Sequence, residues 1–117
     1  MTKTQVFLNV GTDPFRPFDV ATAVLVKAAE FDLSPLITSA VTNGQPLRAL
    51  ELVFEELNIG DGSNYDWTAQ YRANGNRSLS VGDVVVVGET AWAVGSFGWD
   101  RVYTDALIEA IKTPINH

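Results

Sequence analysis

The sequence predicts an α+β domain: a small, mostly antiparallel sheet with a central β-hairpin at about 83–96, one covering helix at about 46–58 and a C-terminal helix at about 105–112. Two stretches and one bulk property support this. Between Arg77 and Trp99 the chain reads R-S-L-S-V-G-D-V-V-V-V-G-E-T-A-W-A-V-G-S-F-G-W, in which two β-prone runs flank a two-residue loop. From Gln45 to Asn58, apolar residues recur at three- and four-residue steps, the period of a helix that buries one face. With 117 residues, 46% of them hydrophobic, the chain can bury a core of its own. One domain is therefore expected over residues 1–113, followed by a short tail over 114–117.

The hairpin justifies itself residue by residue. Val84 to Val87 and Thr90 to Val94 are separated only by Gly88-Glu89, and glycine at the first of two loop positions is the preference of a type II′ turn. Such a loop sets Val87 against Thr90, Val85 against Trp92 and Asp83 against Val94 on one face, with Val86 against Ala91 and Val84 against Ala93 on the other. Both faces of the first strand are apolar, so it should lie centrally or be covered on both sides. Gly82-Asp83 reads as the turn that launches it, the carboxylate accepting from nearby backbone N–H groups rather than serving catalysis.

The remaining elements follow in chain order. Thr4 to Val10 alternates loosely and should be the first strand, ended by Gly11-Thr12-Asp13-Pro14; Pro14 and Pro17 then bracket an extended linker. Val20 to Leu33 is ambiguous, since Val20, Val24 and Phe31 could mark a helix face while Val24, Val26 and Ala28 alternate as a strand. A strand from about Thr22 to Asp32 is preferred, against the helix propensity of its alanines. Leu36 to Val41 reads as a strand or a single helical turn.

Gln45-Pro46 opens the helix, with Leu47, Leu50, Val53, Phe54 and Leu57 inward, Gly60 capping its end and Arg48, Glu51, Glu55 and Glu56 on the opposite face. That acidic stripe is either solvated or a contact surface. Asn58 to Asn76 turns polar and glycine-bearing yet keeps Tyr65, Trp67 and Tyr71, aromatics that either pin a long loop to the core or form a recognition surface. Gly95 to Trp99 is expected to bend the chain with Phe97 and Trp99 packing on either side. Arg101-Val102-Tyr103 returns as a short strand. Thr104 then caps a final helix from Asp105 to Lys112, Leu107, Ile108 and Ile111 facing inward and Pro114 beyond its end.

Charge and residue inventory narrow the function. The absence of cysteine excludes disulfides and thiolate metal sites. A net charge of −6 with eight thinly spread Lys and Arg argues against a phosphate-tracking surface and favours a basic protein partner. The N-terminus lacks a long apolar core and no run approaches ~18 apolar residues, so a cytoplasmic protein without a membrane segment is expected. Asp61, Ser63 and Asp66 hint at a cation loop, but Tyr65 stands where an oxygen ligand is needed and the closing acid is missing. Neither a metal nor a cofactor is expected.

The sole histidine, His117, is the last residue and a poor partner for a nucleophile. Asp83 with Asp66 or Asp100 could form a carboxylate pair, though nothing in the spacing brings them together. Arg72 and Arg77 could hold an anion or, more blandly, pair with carboxylates. A binding protein rather than an enzyme is expected, with Glu51, Glu55, Glu56, Tyr65, Trp67, Tyr71, Arg72 and Trp99 as the candidate contact residues.

The order of features, from Glu30-Phe31-Asp32-Leu33 through the helix L-E-L-V-F-E-E-L-N (Leu50 to Asn58) and R-S-L-S-V-G-D-V-V-V (Arg77 to Val86) to the closing S-F-G (Ser96 to Gly98), resembles the YodL-like domain family of phages, plasmids and conjugative elements. The resemblance spans roughly Val24 to Trp99. This chain departs from the family in a longer segment between strand and helix, and in Gly95 where an aspartate often precedes S-F-G. The resemblance implies a mobile-element origin and a non-catalytic accessory role, and carries over no catalytic residue. The leading expectation is therefore an accessory protein that binds a host protein, with effects on a defence or growth system. A nucleic-acid-binding small barrel is the rival, suggested by the S-V-G-D-V-V-V pattern and the aromatics of the Asn58 to Asn76 segment. A virion structural or assembly protein is the third reading.

Overall fold

Strand order is the first thing the fold decides. The structure, a computed structural model, describes residues 2–11 and 17–111. Five strands, β1 (Thr2–Asn9), β2 (Leu25–Leu33), β3 (Val84–Val87), β4 (Thr90–Gly95) and β5 (Gly98–Val102), form one sheet in the order β2-β1-β3-β4-β5. Every neighbouring pair is antiparallel. Among the described residues, four helices, α1 (Pro35–Thr38), α2 (Leu47–Ile59), α3 (Asp66–Ala73) and α4 (Thr104–Ala110), accompany the sheet in an α+β architecture.

The valine run is the sheet's middle strand because all four of its residues are buried, and a strand apolar on both faces needs cover on both. The hairpin register is the one expected, Val84 against Ala93, Val85 against Trp92, Val86 against Ala91 and Val87 against Thr90. Asp83 and Val94 extend it, the Val94 N–H donating to the Asp83 carbonyl at 2.8 Å. Gly88 takes φ +62° while Glu89 stays at negative φ, as a type II′ loop requires.

Alternating side chains split the core in two. Val6, Val85, Val87 and Trp92 meet Leu50, Val53, Leu57 of α2 and Tyr71 of α3 on one face. On the other, Phe7, Val84, Val86 and Ala93 meet Ala23, Leu25 and Ala110, with Leu107 and Ile111 packed alongside. The C-terminal helix thus covers the face opposite α2.

β2 resolves the ambiguity of the 20–33 run. Its pairing with β1 slips between Val6 and Phe7, where Val6 faces Ala29 but Phe7 faces Lys27. The extra residue, Ala28, is a bulge, and it reverses which face the strand presents. Leu25 and Leu33 are both odd-numbered and both buried, yet they serve opposite cores. The expected Val24, Val26, Ala28 face does not exist; Val26 is exposed.

Other expectations are narrowed or corrected, and of the two readings for Leu36 to Val41 the helical turn is the one found. Residues 36–41 form only the single turn of α1, over Pro35–Thr38, with the Ser34 hydroxyl accepting from the Leu36 N–H at 3.3 Å. Pro46 stands at the N-cap of α2, one place before the first turn, and Gly60 closes the helix in extended backbone at φ −66° rather than left-handed. The supposed loop from Asn58 to Asn76 contains α3. Its termini carry Asp66 in the first turn and Arg72 in the last, as the helix dipole favours. Tyr103, not Thr104, is the N-cap of α4, and Ile108 faces solvent while Ala110 is buried. The turn and linker at 12–16, the expected helix end at Lys112, the stop at Pro114 and the tail with His117 lie outside the described residues. Among the described residues no helix is long and apolar enough to cross a membrane.

Candidate functional site

Carboxylates divide this molecule into a sealed region and an open one. The sealed region is the R-S-L-S-V-G-D segment. Asp83 is wholly buried where β3 begins, and each carboxylate oxygen takes two donors. Oδ1 accepts from the Asn9 N–H at 2.8 Å and from Arg77 Nη2 at 2.9 Å; Oδ2 accepts from the Ser80 N–H at 2.8 Å and from Arg77 Nη1 at 2.7 Å. Four donors fill the lone-pair capacity of a carboxylate, which leaves none for acid–base work with Asp66 or Asp100. The ion pair holds the Arg77 guanidinium above its ordinary pKa.

Around this clasp the Arg77 carbonyl accepts from the Tyr71 hydroxyl at 2.6 Å, and Asn58 brackets Leu79, accepting its N–H at 2.7 Å and donating to its carbonyl at 3.1 Å. Burial, seconded by the charge of Asp83, pushes the Tyr71 phenol up to about 12. The most distinctive motif of the sequence is therefore a fastening between β1, α2, α3 and β3.

A second fastening holds α3 to α2. Glu56, expected on the solvated face, is buried and accepts from the Thr68 hydroxyl at 3.0 Å. Arg72 caps the end of α2 instead of pairing with a carboxylate, donating to the carbonyls of Gly60 at 2.6 Å and Glu56 at 3.3 Å. Trp67 stacks on Phe31 of β2 with centroids 4.3 Å apart, and Tyr65 stacks on Trp67 at 4.9 Å. The aromatics of this segment are pinned; Tyr65 borders a cleft beside α2, and Trp67 and Tyr71 border another of about 180 Å³ against β2. Asp61 makes a local turn by accepting from the Ser63 N–H at 2.9 Å, and the Ser63 hydroxyl first, then this amide, lower its pKa. Among the described residues no three His, Asp or Glu side chains gather as a metal would need.

The open region lies between α2 and the β4–β5 turn. Glu51, Phe54 and Glu55 of α2 face Val94, Gly95, Gly98 and Trp99 across a shallow cleft of about 440 Å³. Phe54 meets Trp99 nearly at right angles, 87° between planes and 6.1 Å between centroids. Gly95 and Gly98 pair directly, so only Ser96-Phe97 turn the chain. A Cβ on Gly95 would stand 3.2 Å from the Gly98 carbonyl, a tight approach across the turn, and 2.8 Å from the Asp100 carboxylate, whose side chain would have to turn aside. The turn leaves Phe97 wholly exposed, contrary to the packing expected of it, beside a second cleft that reaches Pro17 and Asp100.

Glu51 and Glu55 also border a cleft of about 250 Å³ lined by Ile37, Arg48, Leu52 and Tyr65. The two glutamates thus form a ridge between two clefts. Among the described residues the ion pairs are Lys3–Glu30, Lys27–Glu30 and Arg77–Asp83, so neither glutamate is paired.

Of the eight candidate contact residues, the fold gathers Glu51, Glu55 and Trp99 at one cleft and places Tyr65 across the glutamate ridge. Glu56, Tyr71 and Arg72 serve the structure, and Trp67 is spent on stacking. Sequence reasoning missed Phe54 as a cleft wall and Phe97 as an exposed tip. The signal for Phe97 was present in the glycines either side of Ser96-Phe97, which mark a tight turn and hence an outward tip. The chain matches no known protein family, no curated protein and no solved structure.

Proposed function

We propose that this protein is a non-catalytic accessory protein of a phage or plasmid that acts in the cytoplasm by binding a host protein, with effects on a defence or growth system. The observation that carries the reading is the rim formed by α2 and the β4–β5 turn. Unpaired carboxylates, two half-buried aromatic rings and a wholly exposed Phe97 lie together there. An aromatic anchor flanked by charge is the composition of an interface hot spot, where a few central residues carry most of the affinity. A net charge of −6 supports a basic partner surface. The resemblance of residues 24–99 to the YodL-like family supports the mobile-element setting.

The nucleic-acid reading rested on free aromatics and a barrel-like pattern. Trp67 and Tyr71 are packed, and the five strands run from β2 to β5 as an open sheet. Affinity purification from host lysate with the wild-type chain and with the Phe97→Ser/Trp99→Ala variant tests the proposal. A stoichiometric protein retained by the first and lost by the second is expected. Recovery of nucleic acid alone, or of the same proteins by both chains, would overturn it.

A further inference from the structure

We infer that the cleft between α2 and the β4–β5 turn receives an arginine side chain of the protein partner, a conclusion that rests on the protein-binding reading and gives it a contact chemistry. Glu51 and Glu55 stand one helical turn apart on the same edge of the cleft, both exposed and both outside any ion pair among the described residues. Opposite them stands Trp99 of β5, while Phe54 lines the cleft from the glutamates' own helix. In the perpendicular Phe54–Trp99 arrangement the two rings do not stack face to face, and an unstacked ring face is what a planar cation engages. Gly95 and Gly98 add bare backbone rather than side chains, which leaves room for a long side chain to lie along the wall.

A guanidinium suits this arrangement better than an ammonium. It is flat, it stacks on aromatic faces, and its fork of donors can engage two carboxylates at once. The chain shows the same chemistry elsewhere, farther along β5: the Arg101 guanidinium lies 5.5 Å from the Trp92 ring centroid and 4.9 Å from that of Tyr103. Arg101 is thus engaged on its own rings and absent from the cleft lining, while Arg48 lies on the far side of the glutamate ridge, in the neighbouring cleft. A second copy of this chain is the wrong occupant. Each copy carries −6, and a symmetric contact here would set glutamates against glutamates.

The test uses capped Gly-Arg-Gly, Gly-Lys-Gly and Gly-Gln-Gly peptides added to the isotope-labelled full chain, read by two-dimensional NMR in which the three tryptophan indoles are separate reporters. The arginine peptide should move the Trp99 indole and the amides around Glu51 and Glu55 saturably. The lysine peptide should bind there roughly two- to fivefold more weakly, the loss of the stacking contribution, and the glutamine peptide should not bind. Glu51→Gln/Glu55→Gln should abolish the arginine response with the rest of the spectrum unchanged, and Glu109→Gln on α4 should leave it intact.

An unmoved Trp99 indole, a response spread over all acidic patches, or undiminished binding by the double variant would overturn the site. Lysine binding as tightly as arginine would overturn the guanidinium assignment. If the indole stays still while lysate still yields a partner that Phe97→Ser/Trp99→Ala loses, the arginine inference falls alone. If arginine binds but no partner is ever retained, the broader reading falls instead.

Discussion

Asp83 and the Glu51–Glu55 pair are carboxylates put to opposite uses. Asp83 is wholly buried and saturated by four donors; the glutamates are exposed on a helix ridge and, among the described residues, form no ion pair. Desolvation explains the contrast. A buried carboxylate survives only when charge and hydrogen bonds replace water, and once these are in place its removal leaves several groups stranded. An exposed one costs nothing to keep and contributes little to folding, so it remains free to meet a partner. Stability and recognition therefore reside in different acids of the same chain.

That contrast can be broken at several points, beginning with the clasp. Asp83→Ala strands the Asn9 and Ser80 amides and the Arg77 guanidinium, and should cost about 3 kcal/mol in urea unfolding. A loss within experimental scatter would show that the clasp does not hold β1 to β3. Glu56→Ala removes the acceptor of the Thr68 hydroxyl and should cost about 1–2 kcal/mol by the same measurement.

Tyr71→Phe removes one hydrogen bond, worth about 1 kcal/mol near neutral pH. Its pH dependence sharpens the point. The phenol's pKa rises from 10.0 to about 12 on folding, so the stability it confers is complete below pH 10 and is lost as pH climbs toward 12. That rise outweighs the hydrogen bond itself, so the wild-type and Tyr71→Phe unfolding midpoints should meet and then cross within that window, and parallel curves would contradict the burial of the hydroxyl. Smallest of all, Glu51→Gln/Glu55→Gln should change stability by less than about 0.5 kcal/mol while abolishing partner binding. A large unfolding shift in that variant would mean that the ridge is structural after all.

Legibility in the sequence followed the range of the interactions. The β3–β4 register was readable to the residue because a two-residue loop leaves only one pairing. Asp83 was readable as a turn acceptor, but not as the partner of Arg77 or Asn9, since the latter arrives from 74 positions away. The β2 bulge hid its strand, because a reversal at Ala28 destroys the period of two on which strand reading depends. α3 was missed because Trp67 and Tyr71, four residues apart on one helix face, sit among polar neighbours and glycines. Glu56 was misplaced for a related reason: helix periodicity says which residues share a face, whereas a second helix decides how wide the buried face becomes.

The sequence by itself determined the elements whose causes are local: the central hairpin and its turn, the apolar face of α2, the acidic balance and the lack of thiol chemistry. Tertiary structure alone decided which acids were sealed and which stayed open, because the difference lies in what packs over each side chain and not in the side chain itself. It also assembled the cleft, setting Phe54 and Trp99, 45 positions apart in the sequence, against one another across α2 and the β4–β5 turn. Burial is a property of neighbours, and neighbours brought together from distant parts of a chain leave no periodic trace in it.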